Sequence, residues 1–197
     1  MKLLMARHGQ SEWQVQGDVA GRDSPLTALG ERQAHSLGEY LAETESIEAL
    51  YASNLVRARR TAEIVAGYLG VEVEIDDALR EFEDWESGWA PLPAAKWESN
   101  PATEALMPGY AEFRRRVKGS LRRIVENSEG RESVLIVAHG GTLGTVWRIL
   151  LGSDTPRIFC WNAALHAVEW IESEWGDAWR FHYLNRVDYL PADLRSS

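Results

Sequence analysis

The chain has 197 residues, 45% of them hydrophobic, enough for one domain with an independent core. A formal net charge of −9 argues against a general nucleic-acid binder, because affinity for a phosphate backbone rests on clustered Lys and Arg. A single cysteine, Cys160, excludes an internal disulfide framework and cannot build a zinc cluster by itself. No segment approaches the roughly 18 apolar residues of a membrane span, and no signal peptide is evident, so the expectation is a cytoplasmic protein without membrane or nucleic-acid partners.

Residues 2–7 form a continuous run that ends on Arg7-His8-Gly9, the pattern of a strand buried on both faces. Residues 8–26 read as a loop. Thr27 is placed to cap a helix through ALGERQAHSLGEYLAE, with Ala34, Leu37 and Leu41 on one face. A short strand at 49–53 leads to Ser53-Asn54, which can cap a helix to about Gly70 carrying Leu55, Ala58, Ala62, Val65 and Leu69 at helical spacing. VEVEI at 71–75 alternates as a half-exposed strand does. Prolines and tryptophans between 76 and 109 break the rhythm and predict an irregular lid insertion at about 82–109. Tyr110 then opens an amphipathic helix with Phe113, Val117, Leu121 and Ile124 inward. A second buried strand at 133–138 also ends on histidine, His139-Gly140-Gly141, and a helix follows. ALHAVEWIES and AWRFHYLN predict an antiparallel pair, and the tail after Pro191 reads as frayed.

Strands alternating with helices predict a single α/β domain over 1–197, a three-layer sandwich with a mainly parallel central sheet flanked by helices. Ligands in such sheets gather at the carboxyl ends of the strands, where both His-Gly pairs fall. An arginine offers a planar fork of donors to phosphate oxygens, and a neutral imidazole can take a phosphoryl group. Arg57, early in its helix, adds a second guanidinium where the helix dipole also favours an anion. Arg7, Arg57 and the helix end thus predict a phosphate clamp in an otherwise acidic chain.

Several motifs occur in a fixed order: Arg7-His8-Gly9 followed by Ser11 and Trp13, DSPLTALGERQA at 23–34, SNLVRARRTA at 53–62, LREF at 79–82, VAHGG at 137–141 and Asn162 in WNAALH. On these motifs most of the chain resembles the histidine phosphatase superfamily, the phosphoglycerate-mutase-like enzymes. The resemblance implies that His8 is the nucleophile that becomes phosphorylated, and that Arg7, Arg57 and His139 bind the transferred phosphoryl group at the catalytic centre. It makes Glu81 the general acid, which protonates the leaving alcohol and then takes a proton from the water that attacks phosphohistidine. That role needs a carboxyl held protonated near neutrality. No metal and no cofactor are implied, since arginines supply the positive charge.

Other assignments stay open. Ser11 either binds phosphate or caps a local turn, and Thr142 either offers donors to phosphate or simply caps its helix. Gln14, where the family commonly has Asn, and Gly21 fall on the substrate side. Trp85 and Trp89 are either a substrate wall or lid packing, and their closeness to Glu81 points to a wall. Glu83, Asp84 and Glu86 compete with Glu81, because the family's usual Gly-x-Trp-x-Gly segment is shortened or shifted in LREFEDWESGW. Arg59 and Arg60 read as surface charges, and His166 as a strand-face residue.

Three functions compete: hydrolysis of a small phosphate monoester through phosphohistidine, a cofactor-dependent phosphoglycerate mutase, and a non-catalytic module that binds a phosphorylated ligand. Lys96 is the lone basic residue of the lid, which disfavours a mutase holding a bisphosphate, although Arg114, Arg115 and Arg116 keep that reading open. A Trp-rich lid favours a flat or apolar leaving group. The expected partner is a small phosphorylated metabolite, and the resemblance suggests a homodimer.

Overall fold

The structure, a computed structural model, describes residues 1–82, 109–153 and 156–197. In chain order its elements are β1 (Lys2–Arg7), α1 (Glu12–Gln16), α2 (Ala28–Thr44), β2 (Ile47–Ala52), α3 (Val56–Leu69), β3 (Val73–Ile75), α4 (Tyr110–Asn127), β4 (Ser133–Ala138), α5 (Gly140–Leu151), β5 (Leu165–Ile171) and β6 (Ala178–Arg186). The strands form one six-stranded sheet in the order β3-β2-β4-β1-β5-β6. β3, β2, β4 and β1 run parallel, and β5 and β6 add an antiparallel edge. Among the described residues no helix is long and apolar enough to cross a membrane.

The continuous apolar runs of β1 and β4 are the consequence of burial on two faces. Alternate residues of β1 show it: Leu3 and Met5 join a core with Phe113, Val117, Leu121 and Ile124 of α4 and Leu143, Val146 and Trp147 of α5. Leu4 and Ala6 point the other way, into a core with Leu37 and Leu41 of α2 and Ala58, Ala62 and Val65 of α3. The result is the expected three-layer sandwich. Truncating one such buried leucine to alanine costs about 2–5 kcal/mol, so the two faces hold the strands firmly.

Register then places the functional ends. Arg7 of β1 pairs with Ala138 of β4, and Ala52 of β2 pairs with Val137. The ladder continues one step further, where the His8 amide donates to the Ala138 carbonyl at 3.0 Å and the Ser53 amide to Val137 at 3.1 Å. His8, Ser53 and His139 therefore leave three adjacent parallel strands side by side. Gly9 is needed here, since a Cβ on it would lie 2.3 Å from the Gly30 carbonyl oxygen at the start of α2.

Several sequence expectations require correction. The supposed loop at 8–26 contains α1 and a 3-10 turn at Gly17–Ala20, because Ser11 caps α1 while the Gln14 side chain reaches back to the Ser11 amide at 3.0 Å. The strand expected at 71–75 is only Val73–Ile75, and Leu55, not Ser53 or Asn54, is the N-cap of α3. The tail is not frayed. Leu194 is buried, and the buried Gln33 amide donates to the Leu194 carbonyl at 2.6 Å and to Ser196 Oγ at 2.8 Å. Of the lid, residues 83–108 lie outside the described residues; what precedes them is a 3-10 turn, Asp77–Leu79, leading to Glu81.

Candidate active site

At the carboxyl ends of β1, β4 and β2 lies a cavity of about 370 Å³. Arg7, His8, Arg57 and Glu81 line its floor, and Trp13, Leu55 and Phe82 give its wall an apolar character. Ser11, Gln14, Arg22, Asp23 and Arg80 complete the lining.

His8 is 3% exposed, and its two ring nitrogens have different partners. Nδ1 lies 2.6 Å from the Gly9 carbonyl oxygen, which can only accept, so Nδ1 carries the proton. Nε2 is left with its lone pair, and the Nε of Arg57 donates to it at 3.2 Å. Burial pushes the His8 pKa well below its ordinary value, and the cationic Arg57 and Arg7 push it the same way. The imidazole is thus neutral, with its lone pair on the nitrogen among the arginines. Thr61 of α3 fixes the turn, accepting the Gly9 amide at 3.1 Å while donating to the Arg57 carbonyl at 2.8 Å.

His139, fully buried, stands behind His8 with ring centroids 5.0 Å apart. Its Nε2 is 2.9 Å from Ser53 Oγ, and that hydroxyl also accepts the Leu55 amide at 3.3 Å. Where that hydroxyl donates to Nε2 the ring proton sits on Nδ1, a buried nitrogen with no hydrogen-bond partner among the described residues. Burial first, then His8, Arg57 and Arg7, lowers the pKa of this ring as well. The Nε of Arg7 is likewise buried without a hydrogen-bond partner among the described residues, while its Nη1 donates to the Cys160 carbonyl. Burial lowers the pKa of both Arg7 and Arg57. Unspent donors of this kind are what an anion in the cavity would satisfy.

Glu81 faces the same cavity. Its Oε2 accepts the Gly141 amide at 2.9 Å, and its Oε1 accepts the Phe82 amide at 3.0 Å and the Thr142 hydroxyl at 3.3 Å. The competing acids Glu83, Asp84 and Glu86, and the expected wall residues Trp85 and Trp89, lie outside the described residues.

The remaining expectations divide. Ser11 both lines the cavity and caps α1. Gln14 lines the cavity and exchanges amide hydrogen bonds with the buried Asn162, whose Nδ2 also donates to the His8 carbonyl at 3.2 Å. Gly21 does not line it: it ends an exposed turn at φ 73°, and its neighbours Arg22 and Asp23 take that place. Thr142 neither lines the cavity nor caps α5, since its buried hydroxyl is turned toward Leu79, Arg80 and Glu81. Arg59 and Arg60 form surface ion pairs with Glu63 and Glu31. His166 is a buried strand-face residue whose Nδ1 accepts from the Trp147 indole at 3.1 Å.

Sequence reasoning did not anticipate Ser53 as the partner of His139, or Asp23, whose Oδ1 accepts the Val56 amide at 2.7 Å at the start of α3. The Asp that opens the DSPLT motif was the available signal. Nor did it assign the Arg22 carbonyl, which accepts from Nη1 of Arg57 at 2.6 Å. A backbone acceptor of this kind leaves no trace in residue type.

A neutral, buried histidine beside two guanidiniums, with a carboxyl on the same cavity at the carboxyl edge of a mainly parallel sheet, is an arrangement suited to an anion. The chain belongs to the histidine phosphatase superfamily (branch 1), whose family model matches residues 3–186. It is 30% identical over 213 aligned positions to the "Probable phosphoglycerate mutase GpmB" of Salmonella choleraesuis, covering 98% of this chain and 96% of that one. Among solved structures it resembles YhfR of Bacillus stearothermophilus (TM-score 0.68, 25% identity, 96% of this chain and 99% of that one). It also shares its fold with a mycobacterial glucosyl-3-phosphoglycerate phosphatase (TM-score 0.67, 22% identity, 94% and 99%).

Proposed function

We propose that the protein is a metal-independent phosphatase that hydrolyses a small phosphate monoester through a phosphohistidine at His8. The observation that carries this reading is the Nε2 lone pair of a neutral His8, held between Arg7 and Arg57 with Glu81 on the same cavity. In the first step Nε2 attacks phosphorus in line, the N–P bond forms and the ester P–O bond breaks, and the carboxyl of Glu81 gives its proton to the departing alcohol oxygen. Arg7, Arg57 and the Nδ1–H of His139 stabilise charge on the equatorial oxygens. The Gly9 carbonyl, holding Nδ1–H, orients the ring and stabilises the cation formed on it. In the second step water attacks the phosphorus, the N–P bond breaks, and Glu81 takes the water's proton. Both half-reactions balance without a further co-reactant.

Trp13, Leu55 and Phe82 on the cavity wall support a substrate whose alcohol portion is flat or apolar. The mutase reading rests on the Salmonella relative's name and on Arg22 and Arg80, which also line the cavity and would suit a second anionic group. Against it, Arg116 is engaged with the backbone carbonyls of Asp77, Ala78 and Arg80. Phosphate release from a panel of monoesters, with chelator present and with 3-phosphoglycerate isomerisation assayed in parallel, separates the readings. Release should persist under chelation and be about tenfold or more faster for aromatic than for small polar esters, the worth of one well-placed apolar contact. Isomerisation without release would give the mutase; ester binding with neither activity would leave a binding module.

A further inference from the structure

The segment from Asp76 to Glu81 is attached to α4 and α5 far more heavily than a surface connection requires. Arg116 of α4 donates from Nη1 to the carbonyls of Asp77 at 3.2 Å and Ala78 at 3.0 Å, and from Nη2 to Arg80 at 3.2 Å. The same guanidinium lies over the Phe113 ring, 5.0 Å from its centroid. Asp76 is fixed by Ser120 at 2.5 Å and Arg123 at 2.6 Å. From the other side Thr142 brings its hydroxyl within 3.3 Å of the Leu79 carbonyl, 3.2 Å of Arg80 and 3.3 Å of Glu81 Oε1. The Thr142 hydroxyl and the Arg116 guanidinium are both turned onto this segment, and neither residue lines the cavity.

We propose that Thr142 and Arg116 are positioning residues for Glu81, holding its carboxyl at one place through both halves of the reaction. Thr142 suits both protonation states. Its hydroxyl has one proton and three acceptors in reach: it donates to the carboxylate, or turns that proton to a backbone carbonyl and accepts from the protonated carboxyl. The Gly141 amide, a donor only, keeps the other oxygen in place. Arg116 sets the height of the backbone beneath them, and a proton donor displaced by about 1 Å loses on the order of 100-fold.

The inference rests on Glu81 as the general acid, and the test separates the two. A nitrophenyl ester leaves as a stabilised anion and needs little protonation, whereas an aliphatic ester needs it fully. Glu81→Gln should lower kcat/KM, which reports the first half-reaction alone, by about 10²–10⁴-fold for the aliphatic ester and far less for the nitrophenyl ester. Thr142→Val and Arg116→Met should show the same selective loss, about tenfold or more on the aliphatic ester, with Thr142→Ser restoring activity. A loss shared equally between esters, or no loss, in both variants while Glu81→Gln remains selective overturns the positioning role alone. An unselective Glu81→Gln overturns the acid and the positioning role with it. Thr142→Val, close to isosteric, carries the test should Arg116→Met lose its fold.

Discussion

His8→Ala is expected to lower kcat for phosphate release by at least about 10⁴-fold, equivalent to about 5.5 kcal/mol of barrier, with KM changed by less than about tenfold. The split follows from geometry. Binding draws on Arg7, Arg57, His139 and the apolar wall, all of which remain, whereas no other described group on the cavity presents a lone pair between the guanidiniums. Arg57 would be left without its 3.2 Å acceptor but would keep the Arg22 carbonyl, so the clamp should hold its shape. Steady-state kinetics on the best ester of the panel measure both constants. A variant that retains more than about one percent of kcat would mean that the phosphoryl group does not pass through this side chain.

Acid should destabilise the fold steeply. His8, His139 and His166 all have pKa values lowered by burial, His166 to about 4. In the unfolded chain each takes up a proton as pH falls through about 6.5, while the folded protein leaves them neutral. The unfolded state then binds more protons, so stability is complete above about pH 7 and is lost as pH drops below 6.5. Each ring contributes a slope of about 1.4 kcal/mol per pH unit, or about 4 kcal/mol per unit for three, with His166 ceasing to contribute below about pH 4. A domain of about 6–10 kcal/mol, within the ordinary range of stability, should therefore unfold between about pH 5 and 4. Urea midpoints at pH 7.5, 6.5 and 5.5, values about one unit apart, measure the slope. His8→Ala should reduce it by about a third, and a midpoint unchanged from pH 7.5 to 5.5 would contradict the burial of three neutral rings.

The same physics explains what was readable in advance. β1 and β4 could be recognised because a strand buried on both faces must be apolar throughout, and their polar terminators, Arg7-His8 and His139, stand out against that run. Arg57 was legible because it stands in the first turn of its helix within SNLVRARRTA, one of the motifs that carry the family resemblance. The direction of the Thr142 hydroxyl was not legible because it faces Leu79, Arg80 and Glu81, some sixty positions away, and local pattern shows only a hydroxyl near a helix start. Gly21 was misread for the opposite reason: it is a turn glycine at positive φ, and the neighbouring Arg22 and Asp23 line the cavity. The tail after Pro191 is polar and near a terminus, yet Asn162 donates its amide to the Ser196 carbonyl at 2.9 Å and Gln33 holds Leu194. Those buried amides are invisible to any reading of the tail itself.

Transfer through His8 is a double displacement, and the stereochemical course at phosphorus tests it most directly. Hydrolysis of a monoester made chiral at phosphorus with oxygen isotopes should give inorganic phosphate with overall retention, because two in-line attacks each invert the centre. Inversion would require a single direct attack by water and would contradict the phosphohistidine account.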